Sequence, residues 1–376
     1  MKHQETLVVG GVDAHADSHH AAALDERGAL LGTEGFATTM DGYGELFGWL
    51  SSFGKVAVVA VESTGCYAAG LVRYLRSRGV PVLEVNEPHA HARRRLGKSD
   101  PIDAELAARV ALSGKADAIP KRTDGIVESI RQLRLARQSA VKARSAAMVQ
   151  LRDLIVTAPQ PLREQLAEPR TIRGKANLCR RLRPAMGELE LPSQSARLAL
   201  RSLARRIQAL DEEIAALDKQ LERLVREAAP RTTALLGVST GHAGQLLVSA
   251  GQNIERLRGE SSFAALCGAG PIPASSGKTS RHRLNYGGDR DANRALHLIA
   301  VCRLRYCPRT RAYAKRRSAQ GKTKPEIIRC LKRYIARQTY RTLTADLASL
   351  RPEQRPSRVT TIYCGAGPIG ITRSRT

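Results

Sequence analysis

An uninterrupted heptad pattern near the middle of the chain constrains its fold more than any other feature. Apolar side chains recur there at alternating spacings of three and four residues: Leu200, Leu203, Ile207, Leu210, Ile214, Leu217, Leu221 and Leu224. Charged residues fill the positions between them, which leaves a single apolar stripe along one face of a long helix. Because such a stripe needs a second helix to cover it, the segment predicts a helical pair.

The partner helix is predicted over residues 126–155, which carry a less regular apolar stripe. Residues 159–192, between the two helices, contain five prolines and many arginines, a composition typical of a cap or lid. We therefore predict an antiparallel coiled-coil linker with a lid over residues 121–230. The pattern favours neither of two interpretations: a pair closed within one chain, or an arm that joins two chains.

Residues 5–115 alternate between strand and helix patterns. Residues 55–61 are apolar on both faces, which is typical of a central parallel strand. The predicted strands cover residues 7–12, 20–24, 29–36, 55–61 and 80–85, and the predicted helices cover residues 41–50 and 70–78. Three hairpin strands followed by βαβ units indicate a ribonuclease-H-like mixed sheet flanked by helices. We assign this domain to residues 1–120.

Two acidic residues stand where predicted strands of this sheet end. Asp13 closes the first strand and Glu62 closes the central one. Carboxylates at adjacent strand ends would be close neighbours, and paired carboxylates repel each other unless a cation neutralises them. Mg²⁺ takes oxygen ligands and often works as a pair of ions about 4 Å apart in phosphodiester chemistry. Either residue alone could be an ordinary strand-end residue, but the two together predict a metal site.

Asp100 and Asp103 are three residues apart, so a helix would carry both on one face. Two interpretations fit them about equally: metal ligands, or a helix cap in which Asp100 is the N-cap and Asp103 completes a capping box. The residues before them are basic: Arg93, Arg94, Arg95 and Lys98. Because such a run suits the guiding of a phosphate backbone toward carboxylates, it favours metal binding.

The charge of the chain points to a polyanionic partner. Lys and Arg number 61 against 35 Asp and Glu, a formal net charge of +26 over 376 residues. A charge this large is self-repelling, and nucleic acid is the partner that offsets it. The seven cysteines lack metal-ligand spacing, the start lacks a signal-peptide pattern, and no apolar run is long enough to span a membrane. We therefore expect a cytoplasmic protein.

Residues 231–350 are predicted as a helical domain punctuated by glycines, followed by a flexible tail at 351–376. Its start approximates a helix-hairpin-helix, which directs backbone amides at a phosphate. Ser239 stands where a second glycine is usual, and this departure weakens the pattern.

A glycine-bounded loop of this domain holds Ser275 and Ser276. A serine among cations is placed to act as a nucleophile, although a solvated loop that contacts phosphate explains the same residues. The cations of the loop and of the following segment, all candidates for phosphate binding, are Lys278, Arg281, Arg283 and Arg290.

Four strings resemble the DEDD transposases of the insertion-sequence 110 (IS110) group: GVDAHADSHHAAALDERG, VAVESTGCY, NEPHAHARRRLGKSDPIDAELAARV and LCGAGPIPASSGKTSRHRLNYGGDRDANRALHLIA. The resemblance extends over residues 5–345. It implies a RuvC-like (ribonuclease-H-like) catalytic domain, a coiled-coil linker and a helical C-terminal transposase domain. By position, the four acids of the family, which hold Mg²⁺ or Mn²⁺, fall on Asp13, Glu62, Asp100 and Asp103. Its catalytic serine falls on Ser275 or Ser276, and we favour Ser276.

The same resemblance implies an activity. Similar proteins cleave and exchange DNA strands through a covalent link to the serine. They are guided by a structured non-coding bridge RNA that pairs with both target and donor DNA. The expected partners are therefore double-stranded DNA, a bridge RNA and further copies of the chain, as a dimer or tetramer. The active site could then be completed between protomers.

Three other functions stay open. The first is a ribonuclease-H-like junction endonuclease that uses water as its nucleophile. The second is a scaffold that packages nucleic acid and whose acids are degenerate. The third is a sugar kinase of the related actin-like fold, although the chain lacks repeated glycine-rich phosphate loops and carries the wrong charge for it.

Overall fold

The computed structural model describes residues 6–62, 67–85, 99–116, 118–278 and 282–350. Within these ranges the chain forms two compact units. The first contains the described residues up to Gly125 together with Gly251–Gly259, and the second contains Ile126–Ala250 and Glu260–Ser349. The finer division at residues 120, 230 and 350 stays a prediction.

The first unit is built on a mixed five-stranded sheet. Its strands are β1 (Leu7–Ala14), β2 (Ser18–Asp25), β3 (Leu30–Ala37), β4 (Lys55–Glu62) and β5 (Val82–Val85). They lie in the order β3-β2-β1-β4-β5, with β1–β2 and β2–β3 antiparallel and β1–β4 and β4–β5 parallel. Three hairpin strands followed by parallel strands is the arrangement that the sequence predicts, so the ribonuclease-H-like fold class is confirmed.

Helices cover both faces of this sheet: α1 (Met40–Ser52), α2 (Ala69–Ser77) and α3 (Asp100–Leu112). Successive side chains of a strand point to opposite faces, so each strand contributes to two cores. On β1, Val8 and Val12 pack in the core that contains α1 and α2. Val9 packs in the other core, with α3. This alternation decides which polar side chains share a face.

Helix α3 approaches the sheet closely at Gly11 of β1. A Cβ atom on Gly11 would lie 2.0 Å from the carbonyl oxygen of Ala104 and 2.4 Å from the amide nitrogen of Ala108. Both alanines are fully buried. Because small residues face each other here, helix backbone rests directly on strand backbone, two residues before Asp13.

The second unit is helical, and its longest elements are α4 (Gly125–Thr157) and α7 (Pro192–Ala228). Ion pairs show that they run antiparallel. Arg137 pairs with Asp218, and the Nη1 atom of Arg144 lies 2.8 Å from Oδ1 of Asp211. Alternate positions of the heptad stripe on α7 are buried: Leu200, Ile207, Ile214 and Leu221. The antiparallel pairing agrees with the prediction, whereas a role in joining two chains stays a prediction.

The proline-rich segment between these helices folds into α5 (Gln160–Gln165) and α6 (Ile172–Cys179). It has a packed interior, in which Leu162, Leu166 and Cys179 are buried in one cluster with Leu151 of α4 and Leu200 of α7. The lid is therefore a folded cap on one end of the helical pair. Burial also raises the pKa of the Cys179 thiol to about 11, so this thiol stays protonated.

The rest of the second unit comprises α8 (Pro230–Thr233), α9 (Thr240–Ala250), α10 (Glu260–Leu266), α11 (Arg290–Tyr306), α12 (Pro308–Ala319), α13 (Lys324–Ser349) and a hairpin of β6 (Ile272–Pro273) and β7 (His282–Arg283). A buried carboxylate ties α13 to α8. Asp346 accepts hydrogen bonds from the backbone N–H groups of Arg231 (3.1 Å) and Thr232 (2.9 Å). The start of α8 is thereby capped from a distant part of the chain.

Replacing Gly11 by Ala tests the contact between α3 and β1. The added Cβ meets backbone atoms that cannot rotate away, so we expect the free energy of unfolding to fall by about 3 kcal/mol, the upper end of overpacking costs. Urea denaturation measures this. Gly48→Ala on α1 is the control, because a Cβ there meets nothing within 4 Å. Because alanine has a higher helix propensity than glycine, this control substitution should raise the free energy of unfolding by about 1 kcal/mol. Equal effects of both substitutions would contradict the tight contact.

His19 of β2 should make the stability of the fold depend on pH. Its ring is buried and stacks on Tyr43 at 5.7 Å between centroids, and burial lowers the pKa of His19 from its ordinary value of 6.5. The unfolded chain therefore binds a proton more readily, and the stability present above pH 6.5 is lost as the pH falls toward the lowered pKa. We expect His19→Phe to flatten this loss in urea titrations between about pH 7 and 5. Replacement of the exposed His297 by Gln should leave it unchanged.

Candidate active site

Asp13 and Glu62 lie at the carboxyl ends of neighbouring parallel strands. Val12 of β1 pairs with Val61 of β4, and the two acids are the next residues in that register. Val9 on β1 and Ala60 on β4 pack in the core with α3. Strand alternation therefore directs both carboxylates to the α3 side of the sheet. The predicted proximity of these two residues is what the strand pairing provides.

The N-terminus of α3 brings two further carboxylates to the same side. The helix begins at Asp100, and Ser99 occupies the N-cap position. Asp103 donates its backbone N–H to the Ser99 carbonyl at 3.0 Å. The interpretation of Asp100 as the N-cap is therefore wrong by one residue. The close approach at Gly11 holds this end of the helix near the end of β1.

His15 lies between Asp13 of β1 and Asp100 of α3. The Nε2 atom of His15 lies 3.1 Å from Oδ2 of Asp13 and 3.4 Å from Oδ1 of Asp100. On the other side of Asp100, the Nε2 atom of His20 lies 3.7 Å from Oδ2. One possible ligand atom from each of Asp13, His15 and Asp100 falls within 4.8 Å of the others. Oxygen and imidazole donors at this spacing fit a divalent cation.

The acids differ in their exposure to solvent. Asp13 is 9% exposed and Asp103 is 2% exposed, whereas the side chain of Asp100 is 46% exposed. Glu62 is partly buried. Asp13 on β1 and Asp103 on α3 therefore form the buried part of the site, and Asp100 and His15 form its exposed rim.

The predicted catalytic serine lies in the second unit, in the loop between β6 and β7. These strands pair antiparallel, Ile272 with Arg283. Ser276 is exposed, and Gly277 after it has a φ of +54°, a conformation that favours glycine. Ser276 is thus exposed on the loop that follows β6, beside Gly277, so its side chain is accessible to solvent.

The segments that flank this hairpin are anchored by polar side chains, the first of which is Asp289. One carboxylate oxygen accepts hydrogen bonds from the backbone N–H groups of Asp291 (2.9 Å) and Ala292 (3.0 Å), which caps α11. The other oxygen accepts a hydrogen bond from the Ser249 hydroxyl of α9 at 2.6 Å. Asn293 adds a second anchor, because its Nδ2 atom donates to the carbonyl oxygens of Cys267 and Gly268, both at 2.9 Å. Neither anchor is among the residues predicted from sequence, although a GGD string before a helix signals a cap.

The cations predicted around the serine divide into two groups. Lys278, Arg283 and Arg290 are exposed at the loop, at β7 and at the start of α11. Arg93, Arg94, Arg95, Lys98 and Arg281 lie outside the described residues. The exposed three leave their charges available to an anionic ligand.

Sequence comparisons identify the family of the chain. A model for DEDD transposases of the IS110 type, described as a transposase, matches residues 10–158. A second, described as "Transposase IS116/IS110/IS902 family", matches residues 231–315. The chain is a DEDD transposase of the IS110 family. No curated protein matches the transposase. The first match begins within β1 and covers the rest of the sheet and α3 with its acids, and the second covers the serine hairpin.

Membership of this family indicates the general reaction of the protein and its need for a metal ion. The transposase is an enzyme that cuts and rejoins DNA, and its family implies dependence on a divalent metal ion. The grouping of Asp13, His15 and Asp100 supplies a possible place for that ion. Among the described helices of the transposase, none has the length and apolar content needed to cross a membrane.

Helix α12 is a candidate nucleic-acid surface that is absent from the sequence-based predictions. It has no buried residue and no acidic one. Its five cations are Arg309, Arg311, Lys315, Arg316 and Arg317. The guanidinium of Arg316 lies 5.5 Å from the ring centroid of Tyr313. In the described part of the chain, none of these cations pairs with a carboxylate, so their charge is available to phosphates. The signal was present in the sequence as PRTRAYAKRRSA.

Within the predicted helix-hairpin-helix pattern, the structure shows what Ser239 does at the start of α9. The Oγ atom of Ser239 accepts a hydrogen bond from the backbone N–H of His242 at 3.3 Å, at the start of α9. The serine that replaces the usual glycine therefore caps the helix itself. One amide that the pattern would direct at a phosphate is already used within the protein.

Proposed function

We propose that the transposase cuts and exchanges DNA strands through a phosphoserine intermediate on Ser276, with Mg²⁺ held by Asp13, Glu62, Asp100 and Asp103. The observation that carries this proposal is the meeting of Asp13 and Asp100 at the end of β1, in a chain that also holds an exposed serine hairpin. Asp13 comes from a strand and Asp100 from a helix, so the fold itself assembles the acids.

The four acids are proposed to act by holding charge in place. When bound, Mg²⁺ supplies positive charge that offsets the negative charge developing on the scissile phosphate. Asp13 and Asp103 are buried and fixed by packing, so they set the position of the charge. Asp100, at the rim, is exposed enough to meet the DNA backbone. Arg93, Arg94, Arg95 and Lys98 are proposed to guide that backbone.

In the proposed serine step, one bond breaks for each bond that forms. The Ser276 oxygen bonds to phosphorus, the bond from phosphorus to a DNA sugar oxygen breaks, and the released DNA hydroxyl takes up a proton in place of the one that Ser276 loses. A hydroxyl of a second DNA end then attacks the phosphoserine, and the serine regains its proton. Because one linkage replaces another, no ATP is needed. We assign Lys278, Arg281, Arg283 and Arg290 to the phosphates beside Ser276.

The proposed partners follow from charge and from the family. We infer that double-stranded target and donor DNA are the substrates, and that a non-coding bridge RNA selects them by base pairing. A net charge of +26 suits more than one nucleic-acid contact. We further propose that the protein works as a dimer or tetramer in the bacterial cytoplasm, associated with the nucleoid.

A second candidate function is a junction endonuclease that uses water. The grouping of Asp13, His15 and Asp100 favours it, because ribonuclease-H-like acids can activate water without any serine. The two functions differ in one product. Only the serine mechanism leaves protein covalently joined to DNA.

The covalent product is the first test. Incubation with Mg²⁺, bridge RNA and labelled DNA substrate should give an adduct that survives a denaturing gel. Ser276→Ala and Asp13→Ala should each reduce it at least about a thousandfold, as loss of a nucleophile or of its supporting group does. Ser275→Ala is the matched control and should keep it. If the adduct persists without Ser276 but disappears without Ser275, the nucleophile is Ser275. Cleavage without any adduct would identify the water-using nuclease.

The salt dependence of DNA binding is the second test. The combined substitution of Arg309, Arg311 and Arg316 by Gln should weaken binding and lower the slope of log K against log salt by about 0.9 for each phosphate that the helix no longer neutralises. Fluorescence anisotropy over a salt series measures this slope. The control is Arg226→Gln, because Arg226 already lies 2.8 Å from the carboxylate of Glu222. An unchanged slope in the triple variant would exclude α12 from the interface.

A further inference from the structure

We propose that His15 is itself a ligand of the divalent ion, through Nε2, and that it shifts the preference of the site from Mg²⁺ toward first-row transition ions such as Mn²⁺. This inference rests on the metal site of the proposed function. It adds a nitrogen donor to a set that the family resemblance describes by carboxylates alone.

The position of the imidazole supports a shared cation. Nε2 of His15 lies 3.1 Å from Asp13 and 3.4 Å from Asp100, facing one oxygen of each. A single imidazole nitrogen has one proton or one lone pair, so it can serve only one of the two carboxylates through a good hydrogen bond. Ligand atoms about 2.1 Å from an octahedral cation are about 3 Å apart, which is close to both observed separations. One ion would therefore satisfy all three side chains at once.

The backbone fixes the histidine in this place. His15 follows β1 directly, in the tight turn to β2, where its N–H donates to the carbonyl of Ser18 at 3.0 Å. Its own carbonyl accepts a hydrogen bond from the Thr38 hydroxyl at 3.4 Å. The side chain is 48% exposed, so an ion from solvent can reach Nε2. The turn is built independently of the ring, which keeps substitutions of His15 compatible with folding.

The neighbouring histidine has a different role. Nε2 of His20 faces the second oxygen of Asp100, at 3.7 Å, and does not approach Asp13 within ion-pair distance. It is placed to orient the Asp100 carboxylate from behind, as outer groups do for ligands in many metal sites. His20 is therefore a positioning residue, and His15 is the proposed ligand.

The donor chemistry predicts the selectivity. Mg²⁺ strongly prefers oxygen ligands and keeps several waters, whereas transition ions accept imidazole more readily. A site with His15 among its ligands should therefore bind Mg²⁺ more weakly, relative to a transition ion, than an all-oxygen site does. Metal affinity and spectroscopy can show this without any assay of DNA cleavage.

Pulsed electron paramagnetic resonance of the full-length protein with one equivalent of Mn²⁺ is the decisive measurement. A directly bound imidazole gives a ¹⁴N modulation, which we expect in the wild type. The modulation should disappear in His15→Ala and persist in both His20→Ala and His297→Ala, the latter an exposed histidine of the second unit. Its absence from the wild type, or its loss in His20→Ala instead, would overturn the proposal.

Competition titrations give the second readout. Relative to wild type, His15→Ala should raise the Kd for Mn²⁺ roughly tenfold or more while changing the Kd for Mg²⁺ much less. His15→Asp, which restores an oxygen donor, should favour Mg²⁺. Equal losses for both ions in His15→Ala would contradict a selective nitrogen ligand. Thermal unfolding of each variant without metal verifies that the fold is retained.

The same titrations separate this inference from the proposed function. If Asp13→Asn does not weaken Mn²⁺ binding, the metal site of the proposed function fails. If Asp13→Asn abolishes binding but the bound Mn²⁺ of the wild type shows no ¹⁴N modulation, the acids hold the metal and only the role of His15 is refuted.

Discussion

The contact between Gly11 and the backbone of α3 is the constraint on which the first unit depends. It is made possible by three small residues, Gly11, Ala104 and Ala108, whose main chains come closer than larger side chains would permit. On α3, Asp100 lies four residues before Ala104 and Asp103 lies one residue before it. On β1, Asp13 lies two residues after Gly11. Carboxylates distant in sequence are thereby assembled by a contact that contains no charge. The arrangement of these carboxylates is thus supported by packing.

Strand geometry made part of this site predictable from sequence. The apolar run at residues 55–61 and the hairpin strands before it predict the sheet, and strand ends then place Asp13 beside Glu62. The partnership with Asp100 could not be derived in this way, because the approach of a helix to a sheet depends on three-dimensional packing. The role proposed for His15 could not be recognised either, because nothing in a local sequence pattern distinguishes a turn histidine from a metal ligand. Helix α12 was visible as charge, yet charge alone does not reveal that a helix has no buried residue.

The second unit carries the proposed nucleophile, Ser276, on a short hairpin. Two strands of two residues each offer little stability of their own. The segments on either side of the hairpin are held by hydrogen bonds: Asp289 links α9 to α11, and Asn293 holds the backbone at Gly268. Polar groups with satisfied hydrogen bonds therefore hold the segments beside the serine hairpin, whereas apolar packing holds the helix that carries Asp100 and Asp103.

The ion pairs between α4 and α7 also forbid the two helices from sliding. The two ion pairs lie seven residues apart on each helix, so a slip of one heptad would break both of them. It would form one new pair, Arg137 with Asp211 in one direction or Arg144 with Asp218 in the other. In one direction, Asp218 would come to face Ile130, and in the other, Asp211 would face Leu151. Both apolar residues are fully buried in the observed register. A one-heptad slip thus places a carboxylate against apolar core, at a cost well above the modest value of an exposed ion pair. The two ion pairs therefore favour a single register of α4 against α7.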